Sequence, residues 1–348
     1  MKKAIFVPID NAESIRLKLL ENNLLDKNRK IKLKIDENTN EKFLEIPVLN
    51  SFKNYPLINQ SKPQRYIDYK KSYSLENLLK QKLTKNELKF VPTGWQIIGN
   101  IIIINIPPQI QSKAKLIAKT IFDMHPFCKS VLQDFGIKGN FRKPDRKILI
   151  GSETETIHKE HGCHFKLDVT KIMYSKGNLN ERKRMSAINA NKDEVVVDMF
   201  AGIGYFSIPM AVHSMPKKIM SIELNPISYK YLVQNIELNH IENIITPIND
   251  NCMNFMPHHF ADRVIMGYMD ESHKYLENGM LLIKKSGGII HYHLIDGGSD
   301  AGFLSKDTFL KIKEIASKLN REFKIKSIIR VKKYSPKLWH VVLDIFIN

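Results

Sequence analysis

A short apolar run followed by a glycine-rich turn constrains the fold of this chain more than any other segment. Residues 195–206 read Val-Val-Val-Asp-Met-Phe-Ala-Gly-Ile-Gly-Tyr-Phe. A run of β-branched residues that ends in a turn is typical of a buried parallel strand, and open α/β sheets bind ligands at the carboxyl ends of such strands. Gly202 and Gly204 lack a Cβ, so the backbone can turn sharply and a ligand can come close. The segment therefore predicts a strand, a ligand-binding turn and the start of a helix.

An acidic residue follows at a spacing typical of nucleotide sites. The next strand-like run, residues 218–223, ends in Glu223, which lies 19 residues after Gly204. Nucleotide-binding α/β units place a carboxylate on ribose hydroxyls at about this distance. The turn lacks the third glycine of Gly-x-Gly-x-x-Gly and the Lys-Ser/Thr of a phosphate loop, which disfavours dinucleotides and nucleoside triphosphates. It looks like the S-adenosylmethionine (SAM) turn of class I transferases, so we expect SAM as the group donor, with Asp198 and Glu223 among its contacts.

Strands and helices alternate from about residue 148 to the C-terminus. This alternation predicts an α/β fold with a mostly parallel, doubly wound Rossmann-type sheet. The last two strand-like runs, 326–332 and 339–347, flank Tyr334-Ser335-Pro336 and predict the antiparallel hairpin that closes class I methyltransferase sheets.

The chain divides into three predicted parts. Residues 1–70 form a small α+β module followed by a linker, residues 71–148 form an α+β module that binds tRNA, and residues 149–348 form the SAM-binding catalytic domain. Prolines and polar residues in 51–70 indicate the linker. Within the second part, the isoleucine-rich run 96–106 is predicted to be a single strand.

The charge of the chain indicates a polyanionic partner. Its 54 Lys and Arg outnumber 36 Asp and Glu, which gives a formal net charge of +18. The basic residues are spread along the chain rather than grouped in a tail, which suits a broad phosphate surface such as tRNA. The alternative is a generally lysine-rich composition whose side chains are simply solvated.

Other compositional features exclude several classes of protein. The three cysteines are far apart and the histidines are not spaced as metal ligands, so we expect neither a disulfide framework nor a bound metal. No apolar run approaches the length of a membrane span, and the apolar part of the N-terminus is too short for a signal peptide. We expect a cytoplasmic protein without a membrane partner.

The region from Arg142 to the C-terminus resembles the Trm5/TYW2 group of tRNA-modifying enzymes. The segments that carry the resemblance are 142–145, 151–154, 168–175, 178–185, 198–206, 261–268 and 339–344. The resemblance implies a class I enzyme that acts on the purine just 3′ of the anticodon.

Two activities within the group must be distinguished. The guanine-N1 methyltransferases usually carry Asn-Leu-Pro after the fourth strand, whereas this chain has Met266-Gly267-Tyr268. That segment, with 290–293 and 95–100, looks like the TYW2 branch, which transfers the 3-amino-3-carboxypropyl group of SAM to 4-demethylwyosine at position 37 of tRNA-Phe. Two features keep the Trm5-type methyltransferases open as an alternative: residues 174–176 depart from the usual Phe-Ser-Pro, and the first module resembles the first domain of those enzymes. A further alternative is a non-catalytic RNA-binding protein with a vestigial cofactor fold.

The resemblance also implies roles for particular residues. The cofactor contacts are Ser175, Arg182, Glu223, Asp250 and Asn251, and Arg182 is also a candidate for the methionyl carboxylate or a tRNA phosphate.

The two catalytic candidates are Glu181 and Tyr268. Glu181 matches a proposed proton acceptor, and Tyr268 is expected to face the acceptor base. Simpler interpretations remain open, because Glu181 can pair with Arg184 on one helix face, and Asp250 and Asn251 are common turn or cap residues.

Overall fold

The structure is a computed structural model that describes residues 3–36, 41–53, 55–60, 74–139, 142–188, 190, 192–255, 257–297 and 304–348. The chain forms two compact units, Met1–Thr84 and Lys85–Asn348. The three-part division predicted from the sequence remains a prediction.

The first unit contains a four-stranded antiparallel sheet with the strand order β2-β3-β1-β4. Its main elements are β1 (Lys3–Pro8), α1 (Ile9–Glu21), β2 (Lys32–Ile35), β3 (Lys42–Pro47), β4 (Leu57–Asn59) and α2 (Leu75–Leu79). Ile5, Leu19 and Ile46 form its core. The strand β4 lies inside the predicted linker 51–70 and pairs with β1, which corrects that prediction for 57–59; residues 61–70 of the linker lie outside the described residues.

The second unit begins with a four-stranded sheet in the order β5-β6-β7-β8. Its elements are α3 (Lys85–Leu88), β5 (Gln96–Ile98), β6 (Ile101–Ile104), α4 (Ala114–Met124), β7 (Ser130–Lys138) and β8 (Lys143–Ile150). The single strand predicted over 96–106 is wrong, because the chain reverses at Gly99 and Ile98 pairs with Ile101. Gly99 has a φ of +54°, and an added Cβ would lie 2.0 Å from the Thr156 hydroxyl.

Strands β9 (Glu155–Glu160) and β10 (Cys163–Asp168) follow as a separate antiparallel pair. They were expected within the strand–helix alternation that builds the large sheet. Their direct pairing across a two-residue turn, His161-Gly162, is possible only for antiparallel strands, so they do not belong to the parallel sheet.

The large sheet has seven strands in the order β13-β12-β11-β14-β15-β17-β16. Its strands are β11 (Val195–Asp198), β12 (Lys218–Ile222), β13 (Ile245–Ile248), β14 (Arg263–Met266), β15 (Gly288–Asp296), β16 (Phe323–Ser335) and β17 (Leu338–Ile347). The pairs among β11 to β15 are parallel, while β17 runs antiparallel to β15 and β16. The doubly wound sheet and its C-terminal hairpin are therefore confirmed.

Helices cover both faces of this sheet. They are α5 (Leu179–Ser186), α6 (Ser207–His213), α7 (Pro226–Leu238), α8 (Leu276–Leu282) and α9 (Lys306–Lys318). Side chains alternate along a strand, so Val196 packs into a core with Leu232 of α7 while Val197 packs into a second core with Met280 of α8. The two cores fix the orientation of the strands and hold their carboxyl ends together at one edge.

Within the described residues, none of the helices has the length and apolar character needed to cross a membrane.

Candidate active site

A cavity of about 590 Å³ lies where four parallel strands end. Gly202 follows β11, Glu223 follows β12, Asp250 follows β13 and Tyr268 follows β14, and all four residues line it. Ligands of open α/β sheets bind at this edge, and pockets of this size accommodate small-molecule ligands and cofactors. The cavity therefore marks the candidate site.

The glycine-rich turn forms the floor of the cavity in a conformation that needs glycine. Gly202 and Gly204 have φ values of +59° and +96°, and an added Cβ would lie 2.6 Å from the Tyr205 ring and 2.3 Å from Ile208, respectively. Both positions therefore need glycine, because a side chain there would be strained and would collide with residues of the following helical turn.

Glu223 is fixed by two backbone amides. Its Oε2 accepts a hydrogen bond from the Gly202 amide and its Oε1 one from the Asn225 amide, each at 2.7 Å. Burial raises the pKa of Glu223, although the two amides offset part of that effect. Each carboxylate oxygen can accept a further bond, so the residue presents acceptors for a pair of hydroxyls such as those of a ribose.

Asp198 lies beneath the turn rather than on the cavity wall. Its side chain is fully buried and accepts hydrogen bonds from the Phe200 amide at 3.2 Å and the Ser207 hydroxyl at 3.1 Å. Burial raises its pKa to about 7. The structure shows Asp198 joining the turn to the start of α6, and its direct contact with a cofactor remains a prediction.

Asp250 and Asn251 line the cavity and also shape the turn after β13. The Asp250 carboxylate accepts bonds from the Asn251 amide at 2.6 Å and the Asn254 side chain at 2.8 Å, while the Asn251 side chain accepts one from the Met253 amide at 3.0 Å. The turn role and the position in the cavity thus coexist, because each side chain keeps unused polar atoms.

Ser175 and Arg182 belong to another wall of the cavity. Two nitrogens of Arg182 donate to Glu160 at 2.5 and 2.8 Å, and a third donates to the Ser175 carbonyl at 3.0 Å. The guanidinium also lies 4.6 Å from the centre of the Tyr174 ring. Arg182 is therefore neutralised by a buried partner, and its charge mainly holds this wall together.

Glu181 precedes Arg182 in α5 but does not line the cavity. Successive helical residues point about 100° apart, and Glu181 turns inward, where Arg184 donates to it at 2.7 and 2.9 Å. Arg184 also donates to Asp344 at 2.9 Å, and His293 lies 3.7 Å from Glu181. Burial raises the pKa of Glu181 despite the partial offset by Arg184. Its role as a proton acceptor remains a prediction.

Tyr268 belongs to an aromatic cluster at the end of β14. Its ring stacks on Phe200 with centroids 5.3 Å apart and an interplanar angle of 28°, and it meets the edge of Tyr275 at 6.1 Å. Burial is the main cause that raises the pKa of the Tyr268 phenol. Nearby, Arg142 pairs with Asp270 at 2.7 Å. The cluster offers flat apolar surfaces of the kind on which nucleobases stack.

The sequence did not single out Lys332, Phe200 or Tyr275 as site residues, although all three line the cavity. Phe200 lies in the glycine-rich segment, whose pattern alone gives no reason to assign it to the ligand. Lys332 belongs to a C-terminal strand, far in sequence from every other lining residue, and no local signal points to it.

Among the described residues, no cluster of three or more His, Cys, Asp or Glu side chains is placed to hold a metal ion.

The strand order, the antiparallel closing hairpin and the position of the cavity define a class I methyltransferase-like α/β protein. The family model for the TRM5/TYW2 methyltransferase domain matches residues 156–325, the TYW2 N-terminal domain matches 75–154, and the tRNA methyltransferase 5 N-terminal domain matches 4–56. The chain belongs to the TRM5/TYW2 family, as its motifs predicted.

Individual relatives cover most of the chain. It is 43% identical over 251 residues to the tRNA(Phe) (4-demethylwyosine(37)-C(7)) aminocarboxypropyltransferase of Methanocaldococcus jannaschii, covering 72% of this chain and 96% of that protein. It is 32% identical to the tRNA (guanine(37)-N(1))-methyltransferase Trm5b of Pyrococcus abyssi, over 99% of this chain and 98% of that one. The crystal structure of Pyrococcus horikoshii TYW2 in complex with MeSAdo superposes with a TM-score of 0.68 at 34% identity, covering 78% of this chain and 97% of that chain.

Proposed function

We propose that this protein transfers the 3-amino-3-carboxypropyl group of SAM to 4-demethylwyosine at position 37 of tRNA-Phe. The observation that carries the proposal is the 43% identity to the M. jannaschii protein named for this reaction, across nearly the whole of that protein. The Trm5b relative matches a longer stretch but at 32% identity.

The cavity fits SAM on its own geometry. The glycine-rich turn brings the Gly202 backbone to the cavity wall, and Glu223 beside it presents acceptors for the ribose hydroxyls. Asp250 and Asn251 follow the neighbouring strand and offer polar atoms to the adenine edge. We assign Ser175 and Arg182 to the wall that borders the methionyl arm.

The identity of the transferred group depends on orientation. SAM, when bound, supplies a sulfonium that activates each of its three attached carbons. The carbon that is held in line with the acceptor is the one transferred, because near-attack geometry dominates such reactions. The residues of the cavity wall therefore decide between aminocarboxypropyl and methyl transfer. Attachment of carbon to the base also releases a proton from the acceptor carbon. Tyr268 lines the cavity and is the residue that we expect to face the acceptor, whereas Glu181 does not line the cavity and pairs with Arg184.

The partner is tRNA. The net charge of +18 favours a phosphate-rich ligand. The aromatic cluster of Phe200, Tyr268 and Tyr275 provides a stacking surface suited to the tricyclic base. We assign the N-terminal modules to holding the anticodon region of tRNA-Phe and, as expected from the sequence, place the reaction in the cytoplasm.

A second candidate is methylation of guanosine at the same position. It is favoured by the match of residues 4–56 to the tRNA methyltransferase 5 N-terminal domain and by the full-length similarity to Trm5b.

The two candidates leave different products. The protein should be incubated with SAM and either unmodified tRNA-Phe or tRNA-Phe that carries 4-demethylwyosine, and the nucleosides should be weighed by mass spectrometry. We expect an aminocarboxypropyl adduct on the modified tRNA together with methylthioadenosine. Formation of 1-methylguanosine and S-adenosylhomocysteine instead would refute the proposal in favour of the second candidate.

A further inference from the structure

The cavity contains four cationic side chains, and three of them are neutralised. Arg182 pairs with Glu160 at 2.5 Å, Arg142 pairs with Asp270 at 2.7 Å, and Lys171 pairs with Asp168 at 3.2 Å. The fourth is Lys332. Across the parts of the chain that the structure describes, no carboxylate lies within ion-pair distance of Lys332 Nζ, which donates only to the Ser175 hydroxyl at 3.0 Å.

A bulge in β16 turns Lys332 inward. Side chains of a strand alternate between faces, so strict alternation would place Lys332 on the same face as the exposed Arg330. The register of β16 against β17 shifts between Arg330 and Lys332, and Val331 and Lys332 are both half-buried as a result. Bulges next to sites commonly re-aim a side chain in this way.

Gly177 leaves room for the aliphatic part of the Lys332 side chain. A Cβ at Gly177 would lie 2.6 Å from Lys332 Cδ. Burial, together with the charges of Arg142 and Arg182, lowers the pKa of Lys332. An unpaired, half-buried ammonium is costly unless an anion compensates it, so this corner of the cavity is suited to an anionic group.

The two ends of the cavity have opposite chemical character. Asp250 follows β13, one edge strand of the large sheet, and Glu223 follows the strand beside it, whereas Lys332 belongs to β16 at the other edge. SAM offers matching groups, since its ribose hydroxyls are hydrogen-bond donors and its far end carries a carboxylate next to an ammonium.

We propose that Lys332 and the hydroxyl of Ser175 bind the carboxylate of the aminocarboxypropyl arm of SAM. The inference rests on the proposed function for the identity of the ligand. Lys332 thus takes the methionyl carboxylate, for which the sequence suggested Arg182. The charge of Arg182 is already neutralised by Glu160.

The test compares two ligands that differ in the carboxylate. SAM carries the carboxylate on its aminocarboxypropyl arm, whereas 5′-methylthioadenosine shares the adenosine and the sulfur but lacks the whole arm, including its ammonium, and the sulfonium charge. The Kd of both should be measured by calorimetry for the wild type and Lys332→Met. Loss of a hydrogen bond to a charged group predicts a Kd for SAM that rises by about ten- to a hundredfold. The Kd for methylthioadenosine should change by less than about twofold, within the scatter of surface substitutions.

Two further variants make the result specific. Lys333→Met removes the same charge from the exposed neighbouring position on β16 and should leave both Kd values unchanged. Lys332→Arg keeps the charge and should recover part of the affinity for SAM.

Three outcomes would overturn the proposal. An equal loss of affinity for both ligands in Lys332→Met would mean that Lys332 only supports the structure of the cavity. An unchanged Kd for SAM would exclude the contact, and an unchanged Kd for SAM together with a raised Kd for tRNA, measured separately, would reassign Lys332 to a phosphate. Both Kd values are measured without tRNA, so the result does not depend on which group is transferred. A failure of the proposed function would appear separately, in the nucleoside products.

Discussion

The buried pair of Glu160 and Arg182 allows a quantitative test of how the cavity wall is built. The Arg182 side chain is 2% exposed and the Glu160 side chain 7% exposed. Burial alone would raise the pKa of Glu160, but the hydrogen bonds from Arg182 and the nearby His158, whose ring nitrogen lies 3.7 Å away, outweigh it and lower the pKa from 4.5 to about 2. A difference of that size corresponds to about 3 kcal/mol of stabilisation. Removing one partner of a buried ion pair typically costs about 3–5 kcal/mol. The two estimates of what the pair contributes to the free energy of unfolding therefore agree.

We therefore expect Arg182→Met and Glu160→Gln each to lower the free energy of unfolding by about 3–5 kcal/mol at pH 7. The double variant should lose much less than the sum of the two, because neither charge is then left alone. Both tryptophans, Trp95 and Trp339, lie in the second unit, so urea titration followed by tryptophan fluorescence reports that unit.

The contribution of Glu160 to the free energy of unfolding changes with pH in a defined direction. The pKa of Glu160 is depressed in the folded state, so its contribution is complete above its unfolded pKa of 4.5 and is lost as the pH falls towards about 2. The difference between the wild type and Glu160→Gln should shrink over that window. If Arg182→Met instead cost less than about 1 kcal/mol and abolished SAM binding, Arg182 would be a ligand for the carboxylate and our account of the wall would be wrong.

Three further predictions concern the turn and the acceptor side. Asp198 has a pKa of about 7 instead of 3.8, so the wild type should lose up to about 4 kcal/mol of stability as the pH rises from 4 to 8. Asp198→Asn can still accept from the Phe200 amide through Oδ1, and its side-chain NH2 can donate to the Ser207 hydroxyl. Urea titrations should show the stability of this variant relative to the wild type rising over that window, and a constant difference would contradict the assignment. Glu223→Ala should raise the Kd for SAM by about ten- to a hundredfold in calorimetry, with the exposed Glu237→Ala as the control, and an unchanged Kd would remove Glu223 from the site. Tyr268→Leu should lower turnover with tRNA while the Kd for SAM stays constant, and normal turnover would exclude an acceptor role.

Local patterns in the sequence were sufficient to predict the parallel sheet and its turn. The β-branched run before Asp198, the two glycines and the acid at Glu223 lie close together in the chain, and their roles follow from strand burial and backbone sterics. The structure brings Gly202 and Glu223 into direct contact.

A turn inside an apolar run and the direction in which a side chain faces were harder to predict. The isoleucine-rich run around Gly99 has the composition of one strand, and the turn is revealed by Gly99-Asn100, a dipeptide suited to positive φ. In α5 the sequence could not show which of two adjacent residues faces the cavity, and the structure turns Arg182 towards it and Glu181 away.

Lys332 is the clearest case in which the direction of a side chain could not be predicted from the sequence. Its orientation depends on a bulge between β16 and β17. Strand alternation alone predicts an exposed lysine there, so only the three-dimensional pairing of β16 with β17 reveals the position of the side chain.

The central claim is that the aminocarboxypropyl group, rather than the methyl group, reaches the tRNA. The most direct measurement uses two samples of SAM, one with radiocarbon in the carboxyl group and one with radiocarbon in the methyl group. Each sample is incubated with tRNA-Phe that carries 4-demethylwyosine and, separately, with unmodified tRNA-Phe. The account predicts that label from the carboxyl sample enters the modified tRNA and that label from the methyl sample stays with the small-molecule product. Incorporation of the methyl label without the carboxyl label would contradict it.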